Sequence, residues 1–177
     1  MTRLPLVAAA FAALTVTASA QTPGATPSGA HDHGGPAPRL GAVHFATSCA
    51  PAVREEFDRG VALLHSFWFS AALESFGKVA AADPSCRMAH WGIAMSWWSN
   101  PFGGFRSPQA LVTGLAAVDA ARAIPGGTAR ERAYVDAVDQ LYRDVATRDQ
   151  RARIVDYEKA MEQLVASHPG DVEAHIF

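Results

Sequence analysis

From Val43 onward, apolar residues recur at intervals of three and four, the spacing that lines one face of an α-helix. Val53, Phe57, Val61 and Leu64 form the first stripe, within Pro51 to His65. Leu73, Phe76 and Val79 form a second, within Ser70 to Ala82, and Asp83-Pro84 closes it because proline disfavours continued helix. A third helix is predicted over Ser85 to Trp98, ending in the loop Ser99 to Gly104. Ser107-Pro108 opens a fourth, with serine as N-cap and proline in the first turn; Leu111, Leu115 and Val118 line it until Pro125-Gly126-Gly127 breaks it. Thr128-Ala129-Arg130-Glu131 is a capping box, which starts a fifth helix running from Ala129 to Val145. Thr147 with Gln150 gives a similar signal for a sixth, which ends before His168-Pro169-Gly170. Asp171 to Phe177 reads as the first turns of a seventh, and its apolar Ile176-Phe177 end predicts a truncated array with further repeats to follow. Strand signals are scarce, so the predicted class is all-α, with helices pairing one-two, three-four and five-six.

The first forty residues read differently. Arg3 precedes an uncharged apolar run, Leu4 to Thr17, and Ala18-Ser19-Ala20 has the small residues of a cleavage site. This is the pattern of a signal peptide over 1–20, cut after Ala20; the run is short of the roughly 18 to 20 residues that span a bilayer, so no stable membrane anchor is expected after cleavage. Residues 21–42 are Gly, Pro, Ala, Thr and Ser with hardly a large apolar side chain, the composition of a flexible leader. The folded domain is therefore expected over 43–177, in a periplasmic or secreted protein. Fifteen basic and seventeen acidic residues give a net charge of -2 and are interspersed, without the basic stripe that nucleic acid demands. The two cysteines, Cys49 and Cys86, fall to a compartment where disulfides persist; a bridge is expected, with two free buried thiols as the alternative.

Within the first helix pair, Gly60, Leu63, Ala72, Phe76, Val79 and Pro84 have the relative spacing of the small, large and proline positions of a tetratricopeptide repeat. Small residues at 60 and 72 let two antiparallel helices approach, and Phe76 fills the space they leave. Tyr157, Met161, Leu164 and Pro169 repeat the second half of that spacing, while the middle pair departs from it around a longer loop. The words Phe45-Ala46-Thr47-Ser48-Cys49, Arg59-Gly60-Val61-Ala62-Leu63-Leu64-His65-Ser66-Phe67-Trp68 and Asp83-Pro84-Ser85-Cys86-Arg87-Met88-Ala89-His90-Trp91-Gly92-Ile93-Ala94-Met95-Ser96 are more specific. Over Val43 to Pro101 the chain resembles a group of exported bacterial tetratricopeptide-repeat proteins. The resemblance implies a short α-solenoid and an exported location, and brings no catalytic residues with it.

In a stacked helix array the outward residues of equivalent helices line one groove. The candidates here are His65, Trp68, His90, Trp97, Trp98 and Phe102, an aromatic and imidazole set suited to a peptide segment or small ligand. Phe67, Phe69 and Trp91 have the spacing of core, and Trp97 and Trp98, being adjacent, cannot both point inward. A metal-handling alternative rests on His31 and His33 in the leader, with His44 further on, a pair that could take copper or zinc, or on Met88, His90 and Met95, which as a soft set suits copper. Motifs of hydrolases, zinc peptidases and phosphate-cradling loops are absent from the sequence. The expected function is a non-catalytic scaffold that holds a protein or peptide, with no cofactor.

Overall fold

The computed structural model describes residues 40–177. The expected signal segment, its cleavage point, the leader up to residue 39 and with it His31 and His33 lie outside the described residues. Among the described residues the fold is all-helical, without a strand. A 3-10 turn at Pro51–Val53 leads into α1 (Arg54–His65), followed by α2 (Phe69–Ala82), α3 (Arg87–Trp98), α4 (Pro108–Ala123), α5 (Ala129–Tyr142), α6 (Gln150–Ser167) and α7 (Val172–Ile176). No described helix is long and apolar enough to cross a membrane.

Local chemistry sets most of these boundaries. The Ser107 hydroxyl accepts from the Ala110 N–H at 3.1 Å, with Pro108 in the first turn. At α5 the capping box is complete: the Glu131 N–H donates to the Thr128 hydroxyl at 3.1 Å, and the Thr128 N–H to the Glu131 carboxylate at 2.7 Å. Helices α1, α2 and α3 start within three residues of the sequence expectation, and the α5–α6 connection differs for a clear reason. Helix α5 stops at Tyr142 rather than Val145, because Arg143 is extended and Asp144 turns left-handed at φ 57°. Helix α6 is capped by Asp149, which accepts from the Ala152 N–H at 2.7 Å, whereas the Thr147 N–H is spent on the Asp144 carbonyl at 2.9 Å.

Short connections fold each helix back on the one before it, and α3 packs in addition on α1 and α5. The odd helices thus form one layer. Phe76 of α2 is the wedge of the first pair, fully buried between Gly60 of α1 and Gly92 of α3. A Cβ would stand 2.8 Å from its ring at Gly60 and 2.5 Å at Gly92, so only glycine admits the wedge at this depth. Tyr142 of α5 uses Gly114 of α4 in the same way, and its hydroxyl donates to the Ala94 carbonyl of α3 at 2.6 Å.

The segment ahead of α1 completes the core at the other end of the odd layer. Phe45 inserts among Phe57 of α1, Trp91 of α3 and Tyr134 of α5, with ring centroids 5.6, 5.3 and 5.1 Å away. Its backbone is clamped by charged side chains. The Ala50 N–H donates to Asp83 at 2.7 Å, the Ser48 N–H and hydroxyl to Glu131 at 2.6 and 2.8 Å, and Arg130, itself paired with Asp171 at 2.6 Å, donates to the Ala46 carbonyl at 2.7 Å. Cys49 and Cys86 form a disulfide, with Cα atoms 4.6 Å apart. Because Cys86 caps α3, the bridge ties the segment before α1 to the start of the second pair, one helix further than a bridge within the first pair would reach.

Candidate functional site

The carboxyl ends of α1, α3 and α5 converge, and each ends in an unusual way. Helix α1 closes in a Schellman motif: the Trp68 N–H donates to the Leu63 carbonyl at 2.9 Å and the Phe67 N–H to the Leu64 carbonyl at 3.0 Å. The left-handed residue such a motif needs is Phe67, at φ 59°, where glycine is the usual occupant. After α3 comes Ser99 at φ 64°, ψ -153°, a region that glycine occupies almost alone. After α5 comes Asp144. Among the described residues these are the non-glycine positions with positive φ, and all three follow an odd helix.

Two buried or half-buried guanidinium groups finish the carbonyl ends. Arg106 donates to the Trp98 carbonyl and Arg153 to the Leu141 carbonyl, so the last peptide units of α3 and α5 meet cations, as the helix macrodipole favours. The same two groups flank the Trp98 ring, at 5.3 and 5.9 Å from its centroid. Trp98 also meets the Tyr142 ring edge to face at 5.6 Å. It is held on three sides.

Between the three helix ends lies a cavity of about 280 Å³. Leu64 and His65 of α1, Met95 and Trp98 of α3, Leu141 of α5, and Ile154 and Tyr157 of α6 wall it, with Ile176 and Phe177 at the end of α7. Phe67, Ser99 and Pro101 add the turns that follow α1 and α3, and Phe69 the start of α2, so two of the three strained residues border it. The wall is mostly apolar, and its imidazole and phenol are engaged. His65 Nε2 lies 2.7 Å from Glu173, and the His65 ring stacks on Phe177 at 4.9 Å. The Tyr157 hydroxyl donates to the Phe177 carbonyl at 3.0 Å, and burial pushes its phenol above the ordinary tyrosine range, so it stays a neutral donor. A box of this kind suits an aliphatic or aromatic group with at most one polar edge.

Of the residues singled out in the sequence, His65 and Trp98 line this cavity, Trp98 with 5 % of its surface exposed. Trp97, one residue before it and therefore about 100° round the helix, does not line the cavity and is half-buried. Trp68 lies in a shallower hollow beside it, with Phe69 and Ser70. Phe102 stands out in the α3–α4 loop and stacks on Phe67 at 6.5 Å. His90 is half-buried, and burial lowers its pKa; it does not share the cavity with His65. Nor do Met88, His90 and Met95 converge as a ligand set: Met88 is core, Met95 borders the cavity, and His90 lies about 200° round α3 from Met88. Cys49, Asp83 and Cys86 do lie within 4.8 Å of one another, but the sulfurs are bonded to each other and offer no thiolate.

Leu141, Ile154, Tyr157 and Phe177 belong to the site without having been marked as candidates. One signal was present. Tyr157 holds the place in the repeat spacing that Ala72 holds in the first pair; Ala72 is fully buried at its crossing, while the Tyr157 ring reaches the cavity. A bulky residue thus stands at a small-residue position of the sequence spacing. Comparison of the chain with family models, with curated proteins and with solved structures finds no match.

Proposed function

We propose that the chain is an exported tetratricopeptide-like scaffold that holds a peptide by an apolar side chain seated in the cavity at the carboxyl ends of α1, α3 and α5. The observation that carries this reading is the coincidence of that cavity with Phe67 and Ser99, non-glycine residues kept in glycine conformations on its border. Strain that a glycine would relieve is retained where side chains at those positions have a use.

The contact of α3 with both α1 and α5, and the glycine-wedge contacts at the helix crossings, support the repeat assignment. The Cys49–Cys86 bridge supports export, since such bonds persist in oxidising compartments. Binding without catalysis is supported by the engagement of His65 with Glu173 and of Tyr157 with a backbone carbonyl, which leaves the wall chiefly a surface for apolar contact.

A displayed random-peptide library panned on the protein tests the proposal. Enriched peptides should share an aromatic or branched aliphatic anchor. Ile154 borders the cavity from an exposed face of α6, so Ile154→Arg plugs the cavity without disturbing the core. That variant should lose at least tenfold in affinity for the selected peptides. Failure to enrich any anchor, or equal binding by Ile154→Arg, contradicts the proposal.

A further inference from the structure

Beside the cavity, the two turns that follow α1 and α3 carry four aromatic side chains, of which Trp68, Phe102 and Phe105 lie outside the cavity wall. Phe102 is 86 % and Phe105 92 % exposed, on the α3–α4 loop. Phe67 and Trp68, on the α1–α2 turn, are 51 % and 46 % exposed, and Phe67 meets the loop through its stacking on Phe102. The Phe102 and Phe105 rings project from the α3–α4 loop. A protein-binding hot spot is usually a ring sunk in a packed pocket; side chains this bare make almost no contact with their own fold.

Charge around the cluster is one-sided. From Gly60 to Leu73 no residue carries a formal charge apart from a protonatable His65, and from Met88 to Val118 the sole formal charge is Arg106, apart from a protonatable His90. Both loops are therefore free of carboxylates. The loop is pinned to the start of α6: the Arg106 N–H donates to Gln150 at 2.8 Å and Gln150 donates to the Gly104 carbonyl at 3.0 Å. That contact brings the two exposed neighbours of Gln150, Asp149 and Arg151, to the same edge, Asp149 as the cap of α6.

We propose that this edge docks on a phospholipid surface, with Phe102 and Phe105 inserted among the headgroups, Phe67 and Trp68 lying at the interface, and Arg151 facing anionic phosphates. Protruding apolar rings on carboxylate-free loops, with Arg106 in the loop and Arg151 beside it, have the chemistry of a peripheral membrane contact. Trp68 supplies the amphipathic ring that such interfaces favour. The contact is reversible adsorption, distinct from a membrane span. It would place the cavity mouth next to the bilayer.

Sedimentation of the full chain with phosphatidylethanolamine vesicles containing one third phosphatidylglycerol tests this, comparing the protein with its Phe102→Ser/Phe105→Ser variant. Any contribution from the apolar segment near the N-terminus is common to both, so the difference reports the loop. The expected result is a partition coefficient at least about tenfold lower for the variant, from the loss of two buried phenyl rings, with unchanged thermal melting. Bromine-labelled lipids should quench the added fluorescence of a Phe105→Trp variant. Equal partition of protein and variant, or no quenching, overturns the proposal. So does a lipid-free, concentration-dependent dimer that the double substitution abolishes, which would assign the edge to a second copy. Peptide capture that requires Phe102 and Phe105 while vesicle binding does not would likewise overturn it.

Discussion

Phe67 concentrates the tension between stability and use in a single residue. Its left-handed backbone costs about 1 kcal/mol that glycine would not incur, and its ring is half in solvent, where it returns little packing energy. Phe67→Gly is therefore expected to stabilise the fold by about 0.5 to 1 kcal/mol, a rise in melting temperature of roughly 2 to 4 °C, while weakening capture of an apolar peptide. Calorimetry and a binding titration on the same variant check the two halves. A variant that is less stable and binds as before would show that the ring serves the fold and not the site. The burial of Trp98 teaches the complementary lesson. Neighbouring tryptophans at 97 and 98 were bound to diverge, but which of them faced inward depended on Arg106, Arg153 and Tyr142, residues that reach Trp98 from three separate elements.

At the scale of helices, the glycine at each crossing is a stronger constraint than the apolar stripe. A methyl group on Gly92 would enter the ring of Phe76, and one on Gly114 the ring of Tyr142. Neither ring can retreat: Phe76 is fully buried and Tyr142 is fixed by its hydrogen bond to Ala94. Gly114→Ala and Gly92→Ala should each cost about 1 to 3 kcal/mol in chemical denaturation, more than their effect on helix propensity would suggest, since alanine favours helix. Helix identities were legible in the sequence because capping is local: Ser107 and the Thr128-Glu131 box act within four residues. The α5–α6 boundary was not, since Thr147 and Asp149 are both good caps and the choice followed from the left-handed turn at Asp144. The cavity was legible only in its α1 and α3 walls. Its α5, α6 and α7 walls come from residues more than forty positions further along, brought to His65 and Trp98 by the curl of the odd layer, and nothing local records that approach.

For the whole molecule, the segment Ala46 to Ala50 is held by charge as well as by Phe45, and this makes the fold acid-sensitive in a defined place. Hydrogen bonds from Ala50 and Ser85 hold Asp83 below the usual aspartate range. Burial pushes Glu131 and Asp171 up, but donors from Ser48 and Thr128 in the first case, and Arg130 and Tyr134 in the second, outweigh it and leave both lowered. A carboxylate with a depressed folded pKa gives stability that is complete above its unfolded value, about pH 4, and is lost as pH falls through the folded value. Asp139, raised by burial despite Arg122 and Arg143, works in the opposite sense and is relieved in acid. With three clamps against one, stability should fall below about pH 4, and amide exchange at Ser48 and Ala50 should rise first; Glu131→Gln should flatten that dependence. Replacing Cys49 and Cys86 by alanine releases the same segment by another route, removing a link across 37 residues worth about 4 kcal/mol on the chain-entropy model, measurable by denaturant titration.

The cavity at the ends of α1, α3 and α5 is the centre of the functional reading, and methyl-detected NMR of the protein titrated with a library-selected peptide addresses it most directly. Shifts are expected at Leu141, Ile154 and Ile176, which wall the cavity, together with the indole of Trp98, while Val53, Val118 and Val172 stay in place. Shifts confined to α4, or none at saturating peptide, would contradict it.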